Sequence, residues 1–352
     1  MTAALQKAFR LQARGCEEYG SPFQAALALQ VAGALAGGDT LEGLFEPWAQ
    51  ADVPALFSDH APLRYLAALH ELVLSGDDPG LAALYPQAGR PADAVRVWPE
   101  ARRATTRHCD RIADFMRHEL QTNEVRRSAC LVGGFLTIAA ETGLPLRTFE
   151  AGASAGLNLY WDRFRYDLGA HRWGDPGAQV RIETDWRGPP PPVDAAVEVI
   201  SRAACDRRPT QLTDAAQRRR LLSYVWPDQF ERIARLEAAI ALALALEVEV
   251  EAADAVAWTH AHAAPADGAA TVFYHSVFWQ YMPAQSQAAL AKVIADHGAR
   301  ATAQAPFAWL RMEAHDEDRS LMDVRLTSWP GGQERVLADV HPHAAWVEWR
   351  AP

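Results

Sequence analysis

The sequence predicts an α/β protein: a mostly parallel, Rossmann-like sheet that ends in an antiparallel hairpin, with an all-helical region in front of it. Three observations lead there. Apolar residues recur at helical spacing through the first 140 residues, as in FQAALALQVAGALAG and APLRYLAALHELVLSG, and no convincing strand precedes Leu146. From Leu146 onward, short apolar segments alternate with helical stretches, as in a sheet built through helical crossovers. Near the end, LMDVRLTSW and QERVLADV flank Pro330-Gly331-Gly332, a strong turn signal.

The individual elements follow in order. Ser21-Pro22 and Ala61-Pro62 set proline near helix starts, and both helical runs end at glycine. Further helices are expected in RRATTRHCDRIADFMRHEL and in NEVRRSACLVGGFLTIAAETG. Core strands are expected at about 146–150, 196–201, 247–252, 270–276 and 307–313. An insertion at about 166–193 separates the first two; it reads as a hairpin and ends in Pro189–Pro192, which favours extended polyproline geometry. The expected division is a helical domain over 1–120 and a sheet domain over 121–352.

Composition narrows the function classes. The chain has 352 residues, 49% of them hydrophobic, enough for one large core or two ordinary ones. A formal net charge of −10 argues against a nucleic-acid or anionic-membrane binder, which needs a basic footprint. Arg218-Arg219-Arg220 reads as a solvated helix face. Cys16, Cys109, Cys130 and Cys205 stand far apart, which suits free thiols in a reducing cytoplasm better than disulfides or zinc. No secretory signal is visible, and the longest apolar run, AAIALALAL, is far below the roughly 20 residues that span a bilayer. A cytoplasmic protein with no nucleic-acid or membrane partner is therefore expected; the oligomeric state stays open.

The stretch FEAGASAGLNL, 149–159, admits two chemistries. Gly152-Ala153-Ser154-Ala155-Gly156 matches the G-x-S-x-G turn that presents a hydrolase's serine. Such a turn follows several strands and an HGGG-type oxyanion loop, and neither precedes it here. It also matches a cofactor loop on the first strand of a Rossmann-like sheet. Small residues at 152, 154 and 156 would let a ligand approach the backbone, and a helix N-terminus after them would favour a carboxylate. Leu157 stands where a dinucleotide fingerprint needs its third glycine, so the spacing favours S-adenosylmethionine. Glu150 would take the ligand's amino group. Asp206 would take the ribose hydroxyls, although it lies much farther on than the usual interval of roughly 20 residues, and Asp254 would take the adenine amine. Each acid also suits a helix cap or a solvated turn.

Five blocks carry a resemblance to a known family: QTNEVRRSA (121–129), FEAGASAGLNLYWDRFRYDL (149–168), VWPDQFERIARLEAA (225–239), TVFYHSVFWQYMP (271–283) and DVHPHAAWVEW (339–349). The chain resembles the uncharacterised bacterial proteins of domain-of-unknown-function family 2332, which are similar to class I S-adenosylmethionine-dependent methyltransferases. The resemblance spans most of the chain and implies a methyltransferase-type core behind a helical N-terminal region. It implies no particular methyl acceptor. Ser154 replaces the middle glycine of the usual methyltransferase loop.

Several further residues carry open alternatives. His275, ending the fourth strand, is either a catalytic base for the acceptor or a ring packed on Trp279 or Tyr281. Gln121, Asn123, Glu124 and Arg127 open the helix before the first strand, with Asn123 either its N-cap or part of an active-site wall. Asn158 and Asp162 lie one turn apart on the helix expected after the loop. His260/His262 and His341/His343 lack a third ligand at a metal-site spacing, so no metal is expected. His315-Asp316-Glu317-Asp318 reads as a solvated acidic loop, and Trp161 or Trp279 could face a sulfonium cation.

Overall fold

The computed structural model describes residues 2–315 and 321–350. In chain order the helices are α1 (Thr2–Glu18), α2 (Pro22–Ala36), α3 (Val53–Ser58), α4 (Ala61–Ser75), α5 (Pro79–Ala82), α6 (Ala94–Arg107), α7 (Cys109–Met116), α8 (Ser128–Thr142), α9 (Ala215–Ser223), α10 (Phe230–Ala245), α11 (Ala255–His262) and α12 (Ala284–Gly298). The strands are β1 (Leu146–Ala151), β2 (Arg165–Leu168), β3 (His171–Trp173), β4 (Arg181–Arg187), β5 (Val199–Asp206), β6 (Glu251–Ala252), β7 (Ala270–Ser276), β8 (Phe307–Ala314), β9 (Met322–Trp329), β10 (Gln333–Val340) and β11 (Trp346–Trp349). The chain divides into two compact units: residues 1–122 with 213–237, and residues 123–212 with 238–352.

The first unit is helical. Asp52, Asp78 and Asp93 accept backbone amides at the starts of α3, α5 and α6, and proline opens α2. Phe9, Phe45 and Tyr65 meet at ring-centroid distances of 5.7 to 6.2 Å in its core. Segment 213–237 returns to this unit: Tyr224 and Trp226 join the core, and Asp228 accepts the Phe23 amide at 2.9 Å. The arginine run on α9 is more engaged than a solvated face. Arg219 reaches Glu71 at 3.3 Å, and Arg220 lies over the Phe115 ring at 5.5 Å.

The second unit holds one mixed sheet of order β3-β2-β4-β11-β10-β9-β8-β7-β1-β5-β6. β6, β5, β1, β7 and β8 are mutually parallel, and the expected hairpin appears as β9–β10, antiparallel to each other. The insertion forms the antiparallel pair β2–β3, and β4 pairs in parallel with both β2 and β11. β5 starts later than AVEVIS suggested and runs on to Asp206, while β6 shrinks to two residues. The side chains of Val248 and Val250, expected within that strand, lie against Gly156 instead.

Phe149, Cys205, Trp258, Phe273, Leu290, Ile294 and Phe307 form the core between the parallel strands and α11 and α12. α8 lies against β7, β8, β9, β10 and β4. Strand order reverses direction between β1 and β7, and open α/β sheets bind ligands outside the carboxyl ends at such a point. No α-helix follows the loop after β1. Residues 154–160 run as turns and lead into a single 3-10 turn at Trp161–Arg163. Among the described residues, no helix is long and apolar enough to cross a membrane.

Candidate functional site

The loop after β1 is built from its own backbone outward. Gly152 and Gly156 take φ values of 68° and 71°, and Ser154 takes 54°, the left-handed region that favours glycine. The chain itself uses the amides of this loop. Ala153 N–H donates to Cys205 O at 3.1 Å, Ser154 N–H to Asp206 Oδ2 at 2.9 Å, and Gly156 N–H to Ala153 O at 2.8 Å. Asn123 Oδ1 accepts two more, from Ala155 at 3.2 Å and Leu157 at 3.1 Å. Asn123 is therefore not a helix N-cap. It closes a loop more than 30 residues downstream, while Glu124 caps the 3-10 turn ahead of α8 through Arg126 N–H.

The three acids stand at the carboxyl ends of neighbouring parallel strands, with different duties. Glu150 is buried, and Tyr274 Oη–H donates to its Oε2 at 3.1 Å. Burial raises its pKa to about 8; the Tyr274 hydrogen bond opposes that rise, and the nearby Asp206 charge adds to it. Asp206 spends one oxygen on Ser154 N–H and the other on Arg208 N–H at 2.8 Å. Asp254 is exposed and caps α11, accepting Val256 and Ala257 amides at 3.0 and 3.1 Å.

Without a helix after the loop, Asn158 and Asp162 do not share a helical face. Asn158 is buried, and its Nδ2 donates to Glu124 O at 3.3 Å. Asp162 pairs with Arg202 at 2.7 and 3.2 Å, and Arg202 also lies over the Tyr160 ring at 4.1 Å. Arg127 reaches Pro342 O at 3.2 Å, and Gln121 falls in the helical unit. Trp161 is buried and stacks on Phe135 at 4.0 Å, where a ligand face was an alternative. Four buried atoms in this stretch have no hydrogen-bond partner among the described residues: Thr148 Oγ1, Ser154 Oγ, Asn158 Oδ1 and Trp161 Nε1. Native proteins serve nearly all such groups, so these call for water or a polar ligand.

His275 is fully buried and is not placed to act as a base. Trp309 Nε1–H, which can only donate, points to its Nε2 at 3.0 Å. The ring proton is therefore on Nδ1, which donates to Glu313 Oε1 at 2.6 Å. Trp279 stacks on the ring at 5.6 Å, the packing alternative given above.

The sequence reading missed Glu313 altogether. Its signal was present: FAWLRMEA is a strand ending in an acid, the same rule that singled out Glu150. Phe278 was also missed. Its ring fills the space beside Gly152, where an added Cβ would lie 2.3 Å from Cδ2.

S-adenosylmethionine, the cofactor implied by the resemblance, does not fit this arrangement as it stands. The amides of residues 153–157 are already bonded, and Phe278 occupies the cradle that Gly152 leaves open. The hydrolase alternative fares worse. Ser154 Oγ is buried and touches no base, and among the described residues no strand precedes β1. No group of three or more metal-ligating side chains occurs among the described residues. His260 and His262 lie exposed on a helix, and Asp316-Glu317-Asp318 fall outside the described residues. The four cysteines are free thiols.

Residues 6–349 match the family described as "Uncharacterized protein conserved in bacteria (DUF2332)". The chain belongs to this bacterial family. No curated protein and no solved structure matches it significantly.

The left-handed Ser154 gives this DUF2332 protein a direct test of its loop. Ser154→Gly should keep the melting temperature or raise it, because a non-glycine residue in this region costs about 1–2 kcal/mol. Ser154→Leu should lower it. Fluorophosphonate probes should label neither variant nor the wild type, and stoichiometric labelling of Ser154 would restore the hydrolase reading.

Proposed function

We propose that the sheet unit is a Rossmann-like domain of class I methyltransferase type. On this reading it binds S-adenosylmethionine at the carboxyl edge of β6, β5, β1 and β7, and the chain methylates a small or peptide-like acceptor. The observation that carries the reading is the reversal of strand order between β1 and β7. It sets the small-residue loop at the crevice, with acids ending three neighbouring parallel strands. The orphaned polar atoms at Ser154, Asn158 and Trp161 support a polar occupant. Because Phe278 fills the Gly152 cradle, binding requires the 277–279 turn to withdraw.

One observation favours a second reading, a nucleoside-ligand sensor without chemistry: both nitrogens of His275 are already engaged. Thermal unfolding with ligands separates the possibilities. S-adenosylhomocysteine should raise the melting temperature, with about 2.7 kcal/mol of stabilisation at 100 times its Kd, and NAD should leave it unchanged. Stabilisation without methyl transfer to any acceptor in a panel of amines, alcohols and peptides would favour the sensor. Stabilisation by NAD alone would overturn both.

A further inference from the structure

Glu313 is held firmly by one oxygen and left open at the other. Its Oε1 accepts from His275 Nδ1 at 2.6 Å and from the backbone amides of Phe278 and Trp279 at 3.0 and 3.2 Å. Three donors on one atom fix the carboxyl group while the 277–279 turn is closed, and His275 alone keeps hold of Oε1 once the turn withdraws. Oε2 is buried and has no partner among the described residues, on a residue only 8% exposed. Native proteins leave few buried acceptors unserved, so an oxygen held this way lacks a donor that the described residues do not supply.

The neighbourhood already holds one cation, the Arg311 guanidinium over the Trp309 ring at 3.9 Å, and the rings here surround His275, which holds Oε1. His275 carries Phe278, Trp279 and Trp309 around it, at centroid distances of 5.4, 5.6 and 6.0 Å. Aromatic faces attract ammonium groups, most strongly where water is excluded. The turn above Glu313 is also strained. Val277 takes φ 51°, a genuine outlier for a β-branched residue, and strain of this kind collects at ligand clamps. Phe278 links the two places, with its amide on Glu313 and its ring on Gly152.

Glu150, the acid expected to take a ligand's amino group, is poorly suited to it. It is sealed under Tyr274, and burial keeps it largely protonated at neutral pH.

We propose that Glu313 Oε2 is the receptor for a primary ammonium group, reached when the 277–279 turn swings out. This rests on the reading of the carboxyl edge as a ligand site. Two sources share that chemistry: the amino-acid end of S-adenosylmethionine, and an amine that accepts its methyl group.

Calorimetric titration of the full chain distinguishes them, with S-adenosylhomocysteine, 5′-methylthioadenosine (which lacks the amino-acid end) and n-butylamine against wild type and Glu313→Gln. If the cofactor supplies the ammonium, the substitution weakens S-adenosylhomocysteine binding at least about tenfold and leaves 5′-methylthioadenosine unchanged. If the acceptor supplies it, n-butylamine binding is lost and S-adenosylhomocysteine is unaffected. Loss of n-butylamine binding in a protein that ignores both nucleosides keeps the ammonium site and removes the cofactor reading. Equal binding of every probe to both proteins overturns the proposal and leaves Oε2 to an ordered water, and so does the absence of n-butylamine binding where S-adenosylhomocysteine binds both proteins alike. If Glu313→Gln does not fold, n-butylamine is compared with n-butanol on wild type. Binding of the amine alone supports the site, and equal or absent binding of both sinks it.

Discussion

Glu150→Gln is expected to make the protein more stable than wild type at alkaline pH and to leave it little changed in mild acid. Wild-type Glu150 titrates near 8 when folded, against an ordinary 4.5, because burial disfavours its charge. Between those values the folded chain keeps a proton that the unfolded chain has released. Wild-type stability therefore falls as pH rises through this window, by about 1 kcal/mol or more for each unit, on the order of 4 kcal/mol in all. Below pH 4.5 both states are protonated, and above 8 both are charged, so the slope vanishes at either end. Glutamine keeps the acceptor for Tyr274 and cannot ionise, so the variant lacks this slope. Urea unfolding of both proteins from pH 5 to 9 gives the difference directly. Parallel profiles would show that Glu150 does not carry a buried proton.

The second large effect is expected at Asn123. Asn123→Ala leaves the Ala155 and Leu157 amides without an acceptor, on residues that are both buried. At about 1–3 kcal/mol for each unserved group, the loss should reach roughly 2–4 kcal/mol, less whatever water entering the gap restores. Asn123→Asp keeps an acceptor oxygen and should lose much less. Amide hydrogen exchange localises the effect: protection at Ala155 and Leu157 should drop in the alanine variant and hold in the aspartate variant. Unaltered exchange at both amides would remove Asn123 as the clasp of the loop.

These two residues show where the sequence was legible. β1, β7 and β8 were readable because compact apolar runs bounded by glycine, proline or a helix announce buried strands, and Pro330-Gly331-Gly332 announced the hairpin. The acids at Glu150, Asp206 and Asp254 were found by asking what ends a parallel strand; the same question put to FAWLRMEA would have added Glu313. The conformation after Gly152 was not legible. LNLYWDRF has helical spacing, but acceptors from Asn123, Asp206 and Cys205, all distant in sequence, hold the amides of 153, 154, 155 and 157 just where such a helix would start. Reading Arg218-Arg219-Arg220 as a solvated helix face likewise did not reveal that Tyr224 and Trp226, just beyond it, belong to the core of the first unit.

The parallel pairing of β4 with β11 bears on how the chain is made. Trp346, Val347 and Glu348 pair with Asp185, Trp186 and Arg187, and β11 is also what connects β4 to β10. As the polypeptide leaves the ribosome, β4 emerges some 160 residues before its neighbour on that side. Until then it has β2 on one flank and a bare row of amides and carbonyls on the other, the kind of edge that recruits strands from other chains. The two parts of the sheet are joined only once β11 has been made. A nascent chain stalled before Trp346 thus carries an open edge at β4, and aggregation is the expected hazard of that form.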